Sequence, residues 1–96
     1  MNNNQANRIK AAVELIDDLT LQLFGTKADV EWLSEQIATL QQRHAKSTDV
    51  QRRYPIRKQL RMLLNAKFFS EMHYVSLQNN RELVIIRLAE WRQKNK

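Results

Sequence analysis

The chain has 96 residues, a formal net charge of +6 and no cysteine. This length suffices for one domain with a modest core, and the absence of cysteine excludes disulfides, thiol catalysis and cysteine-ligated zinc. With a single glycine, neither a phosphate-binding loop nor a dinucleotide-binding turn can be built. One glycine, one proline and 43% hydrophobic residues favour helices joined by short connections over a turn-rich sandwich or barrel.

The sequence contains no motif typical of catalysis or metal binding. His44 and His73 are the only histidines, and they lie far apart without a helical His-x-x-x-His pair. No G-x-S-x-G or comparable context surrounds the serines, so a hydrolytic triad is not indicated. We therefore expect a protein that is not an enzyme, with no cofactor, no metal site and no small-molecule substrate.

The two ends of the chain are polar. The start lacks the apolar segment of a secretory signal, and no run of about 18 apolar residues is present, so we expect no membrane association and a cytoplasmic location. Residues 1–5 are rich in asparagine and are predicted to form a disordered polar tail, because they can bury little apolar surface. Residues 6–96 are predicted to form a single helical domain.

The first half of the chain predicts two helices, over about 7–23 and 27–45. Gly25 between them suits a helix C-cap, since glycine adopts the left-handed conformation at little cost. Thr26 then suits the N-cap of the second helix. The second helix spaces its apolar residues at alternating steps of three and four, which is typical of a coiled-coil seam. These residues are Val30, Leu33, Ile37, Leu40 and His44.

The second half predicts two more helices. The third should begin at Pro55, because proline suits the first turn of a helix, and should end near Tyr74 or Leu77; a short helical turn over 49–53 can precede it. The fourth should cover about 80–93, following a capping box at Asn79. The favoured fold is an all-α antiparallel bundle of about four helices.

An alternative fold arises from the asparagine pair in the same region. Residues 73–87 could form a β-hairpin with an Asn-Asn turn, which would make a winged-helix-like α+β fold. Against this, the segment lacks strict alternation and contains good helix formers. As a helix, residues 80–93 carry apolar side chains on more sides than a two-layer packing needs, which predicts a homodimer formed through this segment.

Positive charge is concentrated in the middle of the chain. Residues 43–67 have a net charge of +7, whereas residues 1–42 have −3 and residues 68–96 have +2. An arginine-rich helix start that includes an aromatic residue can bind phosphates and stack on a base. The alternative is a solvated basic face that pairs with the acidic side of the first two helices. The candidate nucleic-acid-binding residues are Arg52, Arg53, Tyr54, Arg57, Lys58 and Arg61.

Two functions are consistent with this pattern. The first is a small basic regulator or accessory factor that binds DNA, RNA or a nucleic-acid-processing complex through residues 52–61. The second is a helical adaptor or inhibitor that binds an acidic or hydrophobic surface of a protein partner. For Trp32, a place on the flank of the core is the alternative to a partner contact. The candidate partner-binding residues are Trp32, Phe68, Phe69 and Trp91.

Overall fold

The chain is built from two long helices. The structure is a computed structural model that describes residues 3–94. Helix α1 is Asn3–Lys46 and helix α2 is Val50–Lys94, with residues 47–49 between them. The all-α prediction is confirmed. The prediction of about four helices is wrong, and so is the alternative β-hairpin, because residues 73–87 are helical throughout.

The contacts divide the chain into two compact units. Unit 1 combines the chain up to Gly25 with the chain from Tyr74 onward, and unit 2 is Thr26–His73. Each unit pairs a segment of α1 with a segment of α2. In unit 2 the two segments are consecutive in sequence, so this unit is a helical hairpin. The single domain predicted over residues 6–96 stays a prediction.

The predicted polar tail is partly helical. Helix α1 begins at Asn3, so residues 3–5 belong to its first turn, while residues 1–2 lie outside the described residues. Neither helix, over residues 3–94, has a stretch that is both long enough and apolar enough to cross a lipid bilayer. The cytoplasmic location stays a prediction.

Each helix has a seam of shielded residues at alternating steps of three and four, the spacing with which helices pack side by side. The seam predicted over residues 30–44 is confirmed and is one part of the longer seam of α1. The α1 seam consists of Ile9, Ala12, Ile16, Leu19, Leu23, Thr26, Val30, Leu33, Ile37, Leu40 and His44. The α2 seam consists of Arg53, Ile56, Leu60, Leu63, Lys67, Ser70, Tyr74, Leu77, Arg81, Val84, Leu88 and Trp91.

A polar contact beside the α1 seam joins the two helices of unit 1. The Nε–H of Arg81 donates a hydrogen bond to Thr20 Oγ1 at 2.8 Å, and that hydroxyl donates to the carbonyl of Ile16 at 2.7 Å. Both Arg81 and Thr20 are half-buried. Because a shielded donor or acceptor is costly when it has no partner, this bond ties α1 to α2 at one defined level within the unit.

Gly25 and Thr26 do not form the predicted turn. Helix α1 continues through Gly25 without a positive φ, and Thr26 is buried at 8% exposure on the seam. The seam runs from Leu23 through Thr26 to Val30 without interruption. Burial of a large apolar side chain contributes about 1.5–3 kcal/mol, which exceeds the cost of about 1 kcal/mol for a glycine inside a helix.

Gly25→Ala is expected to raise the free energy of unfolding by about 0.5–1 kcal/mol. A Cβ at this position meets no atom within 4 Å, so alanine adds no clash and restricts the unfolded chain. Urea unfolding followed by circular dichroism measures the change. Ala28→Gly, at another exposed position of α1, is the matched control and should lose a similar amount. Destabilisation by Gly25→Ala would contradict an uninterrupted helix.

Helix α2 begins five residues before the predicted start. Asp49 is its N-cap: Oδ1 accepts a hydrogen bond from the Gln51 N–H at 2.9 Å, and the Asp49 carbonyl accepts one from the Arg53 N–H at 3.1 Å. The helical turn considered over 49–53 is therefore present and continuous with the predicted third helix. Pro55 lies inside α2 instead of at its start.

The predicted boundary between the third and fourth helices is also wrong. Asn79 and Asn80 are exposed residues within α2, and no capping box forms there. Leu77, at 5% exposure, and the half-buried Arg81 continue the seam across this segment. The asparagines occupy solvent-facing positions, where their low helix propensity costs less than interrupting the seam would.

Candidate nucleic-acid interface

The first turns of α2 place most of the predicted site on one side of the helix. At about 100° per residue, the positions from 53 to 61 named as site residues fall within an arc of about 140°. Tyr54 lies in that arc and is 71% exposed. We refer to the four charged members of this arc as the basic cluster. They are Arg53, Arg57, Lys58 and Arg61.

Arg52 lies outside the basic cluster. It projects from nearly the opposite side of α2 by the same rotation. Its Nε is 3.9 Å from Asp49 Oδ2, and the two side chains are 84% and 54% exposed. An ion pair this long and this exposed contributes little to stability. Arg52 therefore stands apart from the other predicted site residues.

Helix α1 contributes further positive charge at the same end of unit 2. Its last turn contains the positively charged Arg43 and Lys46, together with His44. The Nε–H of Arg57 donates a hydrogen bond to His44 Nε2 at 3.1 Å, which brings the last turn of α1 beside the basic cluster. Arg43 and Lys46 were not among the predicted site residues. The +7 segment contains both, and the hairpin places Arg43 in a groove with Gln59 and Leu63 of α2.

The basic cluster has no carboxylate partner within residues 3–94. The ion pairs observed there are Arg52 with Asp49 and, at 3.8 Å, Lys67 with Glu71. The sequence also predicted an alternative in which this face pairs with acidic residues of the first half of the chain. Within residues 3–94, no ion pair joins the basic cluster to those residues. Arg53 Nε is shielded from solvent and has no hydrogen-bond partner. The cluster thus keeps its positive charge unneutralised within the chain.

The surroundings of His44 favour its neutral form. Desolvation by burial lowers its pKa below 6.5, and the positive charges of Arg53 and Arg57 lower the pKa further. Because Nε2 accepts the hydrogen bond from Arg57, the proton of neutral His44 is on Nδ1. His44 therefore acts as an acceptor that orients Arg57.

Lowering the pH from 7.5 to 5.5 is expected to destabilise the fold through His44. Its pKa is about 6.5 in the unfolded chain and lower in the folded chain, so unfolding takes up protons as the pH falls through 6.5. The stability that neutral His44 contributes is present above pH 6.5 and is lost below it. Urea midpoints at the two pH values measure this loss. His44→Asn, which does not titrate, should lose less; an equal loss in both proteins would contradict the assignment.

The predicted partner-binding aromatics lie in different settings. Trp32 is 57% exposed, so it does not lie in the core. Phe68 and Phe69 are 57% and 68% exposed, and their rings meet edge to face with centroids 5.8 Å apart. Trp91 is half-buried and lines a small groove of unit 1 with Ile9. Large exposed aromatics therefore occur in unit 2 on both helices.

Comparison of the chain with protein-family models, with curated proteins and with solved structures finds no match. Within residues 3–94, no group of three or more histidine, aspartate and glutamate side chains is placed to hold a metal ion. Positive charge and exposed aromatic side chains are concentrated on the surface of unit 2.

Proposed function

We propose that the protein is a non-enzymatic regulator or accessory factor that binds nucleic acid through the basic cluster of unit 2. One observation carries the proposal: Arg57 contacts the last turn of α1, which also contains Arg43 and Lys46, and the basic cluster has no carboxylate partner in the described chain. Such a surface attracts phosphates and gains free energy when counterions are released from the nucleic acid.

The arrangement of the cluster supports contact with a nucleic-acid backbone. Arg57 and Arg61 are one helical turn apart, so they present two guanidinium groups along one side of α2. The bond from Arg57 Nε to His44 uses one of the five N–H donors of the guanidinium, so the donors on the terminal nitrogens can pair with a phosphate. Tyr54 is exposed in the same arc, where its ring can stack on an unpaired base.

The test is fluorescence-anisotropy titration at several salt concentrations, with mixed-sequence duplex DNA and single-stranded RNA as probes. We expect affinity to fall as salt rises, with a log–log slope of about −0.9 for each phosphate neutralised on duplex DNA. A triple alanine variant of Arg57, Lys58 and Arg61 should reduce the size of that slope by up to about 2.7.

A second triple alanine variant, at Arg87, Arg92 and Lys94, is the matched control. It removes the same charge from the same helix but from unit 1, and all three residues are exposed. This control should keep most of the slope. Equal losses in the two variants would mean that net charge, and not the basic cluster, carries binding. No binding of either probe at about 150 mM salt would overturn the proposed function.

The second candidate function is an adaptor or inhibitor of a protein partner. It is supported by the exposure of Trp32, Phe68 and Phe69, because large aromatics are common anchors of protein interfaces. A complex of this kind with an acidic partner should form without nucleic acid. Truncation of one of these aromatics to alanine should weaken it, and retained affinity in all three alanine variants would exclude these residues as anchors.

A further inference from the structure

One face of α2 in unit 2 has four large exposed apolar side chains and lies on the side of the helix opposite the seam. At about 100° per residue, seven positions between 58 and 72 fall within an arc of about 120° on that side. Four of them are large apolar residues with exposed fractions of 64% (Met62), 57% (Phe68), 68% (Phe69) and 55% (Met72). We call these seven residues the outer face of α2. They are Lys58, Arg61, Met62, Asn65, Phe68, Phe69 and Met72.

The exposed apolar area of the outer face is comparable to the largest apolar patch of a typical monomeric protein. At about 200 Å² for a large side chain, the four exposed fractions correspond to roughly 500 Å². The largest apolar patch on a monomeric protein is about 300–600 Å², and patches of this size commonly serve binding. Two such faces in contact would bury about 1,000 Å² from these side chains alone, which is the lower bound for a stable protein interface.

The spacing on the outer face is that of a second packing seam. Arg61, Asn65, Phe68 and Met72 follow one another at steps of four, three and four, as the residues of the inner seam do. A helix with a seam on each side is suited to packing against a helix on each side. Asn65 lies in the middle of the apolar residues, and a polar residue at such a place in a helical interface fixes its register and orientation.

We infer that the outer face of α2 is an interface with a second copy of the chain, with the two α2 helices antiparallel about a two-fold axis at Asn65. In this arrangement Met62 of each copy lies level with Phe68 of the other, and Arg61 lies level with Phe69. The face is then complementary to itself, as a closed two-fold dimer requires.

The charges of the outer face decide the orientation. A parallel pair would place Lys58 and Arg61 beside their own copies, with like charges in contact. In the antiparallel pair the two Lys58 residues are about 20 Å apart along the helix axis, which is more than the Debye length of about 8–10 Å at physiological salt. Met62 and Phe68 then pack on either side of Asn65, and Lys58 lies at the two ends of the interface.

This interface differs from the homodimer that the sequence predicts through residues 80–93, and it does not depend on nucleic-acid binding. Burial of apolar side chains is insensitive to moderate salt, whereas phosphate binding weakens steeply with salt. Lys58 and Arg61 belong to both surfaces, so the response to salt is what tells dimerisation from phosphate binding. A dimer that persists at 500 mM salt without nucleic acid supports the interface alone.

The first experiment is sedimentation equilibrium of the full chain from about 1 to 200 μM, at 100 and 500 mM salt. We expect a mass twice the monomer value of 11.4 kDa at both salt concentrations. Phe69→Asp should raise the dissociation constant by at least about 30-fold. Leu83→Asp is the matched control at a position of unit 1 that is 61% exposed, and it should leave the mass unchanged. Circular dichroism checks that both variants remain helical.

Three results would overturn the inference. A wild-type protein that stays monomeric at 200 μM would show that the outer face does not bind a second copy of the chain. Dissociation by Leu83→Asp and not by Phe69→Asp would place the dimer at residues 80–93. Assemblies that keep growing with concentration would indicate open head-to-tail contacts, such as the outer face meeting the exposed Trp32 side of the next copy.

Disulfide cross-linking tests the orientation, since the chain has no cysteine of its own. Asn65→Cys places one thiol beside the two-fold axis, so mild oxidation should give a covalent dimer. Lys58→Cys places the two thiols about 20 Å apart and should not cross-link. Equally fast cross-linking by Lys58→Cys would show a parallel pair and overturn the antiparallel interface.

Discussion

Leu77→Ala is expected to lower the free energy of unfolding by about 3 kcal/mol. Leu77 is 5% exposed and lies on the seam of α2 in unit 1. Truncation removes apolar area from the seam and leaves a cavity that a rigid helix pair can close only in part. A domain is commonly stable by about 5–15 kcal/mol, so this single change would remove a large share of the total.

Urea unfolding followed by far-UV circular dichroism measures the effect of Leu77→Ala. The matched control is Leu83→Ala, six residues further along the same helix and in the same unit, where the side chain is 61% exposed. Leu83→Ala should lower the free energy of unfolding by about 0.5 kcal/mol or less, because little of the Leu83 side chain is buried in the folded protein. Similar losses in the two variants would show that the seam has been assigned to the wrong side of α2.

Pro55→Ala is expected to raise the free energy of unfolding by about 1–3 kcal/mol. Pro55 lies inside α2 and has no N–H, so the carbonyl of Gln51 lacks its usual intrahelical partner. The proline ring also crowds that carbonyl. Alanine supplies the missing donor and removes the ring, and the exposed position requires no repacking. The gain in the free energy of unfolding should be smaller than for a proline replaced in the middle of a helix, because the start of α2 is exposed to solvent.

Thermal and urea unfolding of Pro55→Ala measure the gain, and Asp49→Ala is its companion. Removing the N-cap should cost about 1 kcal/mol, because the Gln51 N–H loses its acceptor. Both changes test where α2 begins, since one should raise and the other should lower the free energy of unfolding. If α2 instead began at Pro55, Pro55→Ala would have little effect or would destabilise, and Asp49→Ala would be nearly neutral.

The helical class and the packing seams could be read from the sequence because they depend on spacing that repeats over many residues. The steps from Val30 to His44 are an example. Helix ends were less predictable. Gly25 and Asn79 each favour a helix end by only about 1 kcal/mol, and each stands alone in its segment. Leu23 and Leu77 lie beside those signals on the seam, and their burial is the larger effect. The helix therefore continues through these capping residues, because burial of the seam residues on both sides outweighs the local preference to end the helix.

Part of the candidate interface could also be predicted from the sequence. Arg57 and Arg61 are close in sequence, so helical geometry alone places them on one side. The bond between Arg57 and His44 could not be predicted, because it joins different helices and needs the connection at 47–49 to be known. Arg43 was missed for the same reason. For the outer face of α2, the sequence indicated only that this segment has more apolar residues than a single seam needs.

The two units differ in how far apart in sequence their contacts lie. In unit 2 the bond between Arg57 and His44 spans 13 residues, whereas in unit 1 the bond between Arg81 and Thr20 spans 61. Closing the longer loop costs about 1.4 kcal/mol more in chain entropy. Unit 2 should therefore form first during folding, and unit 1 should join it later. Substitutions in the core of unit 2 would then slow folding, whereas Leu77→Ala would mainly accelerate unfolding.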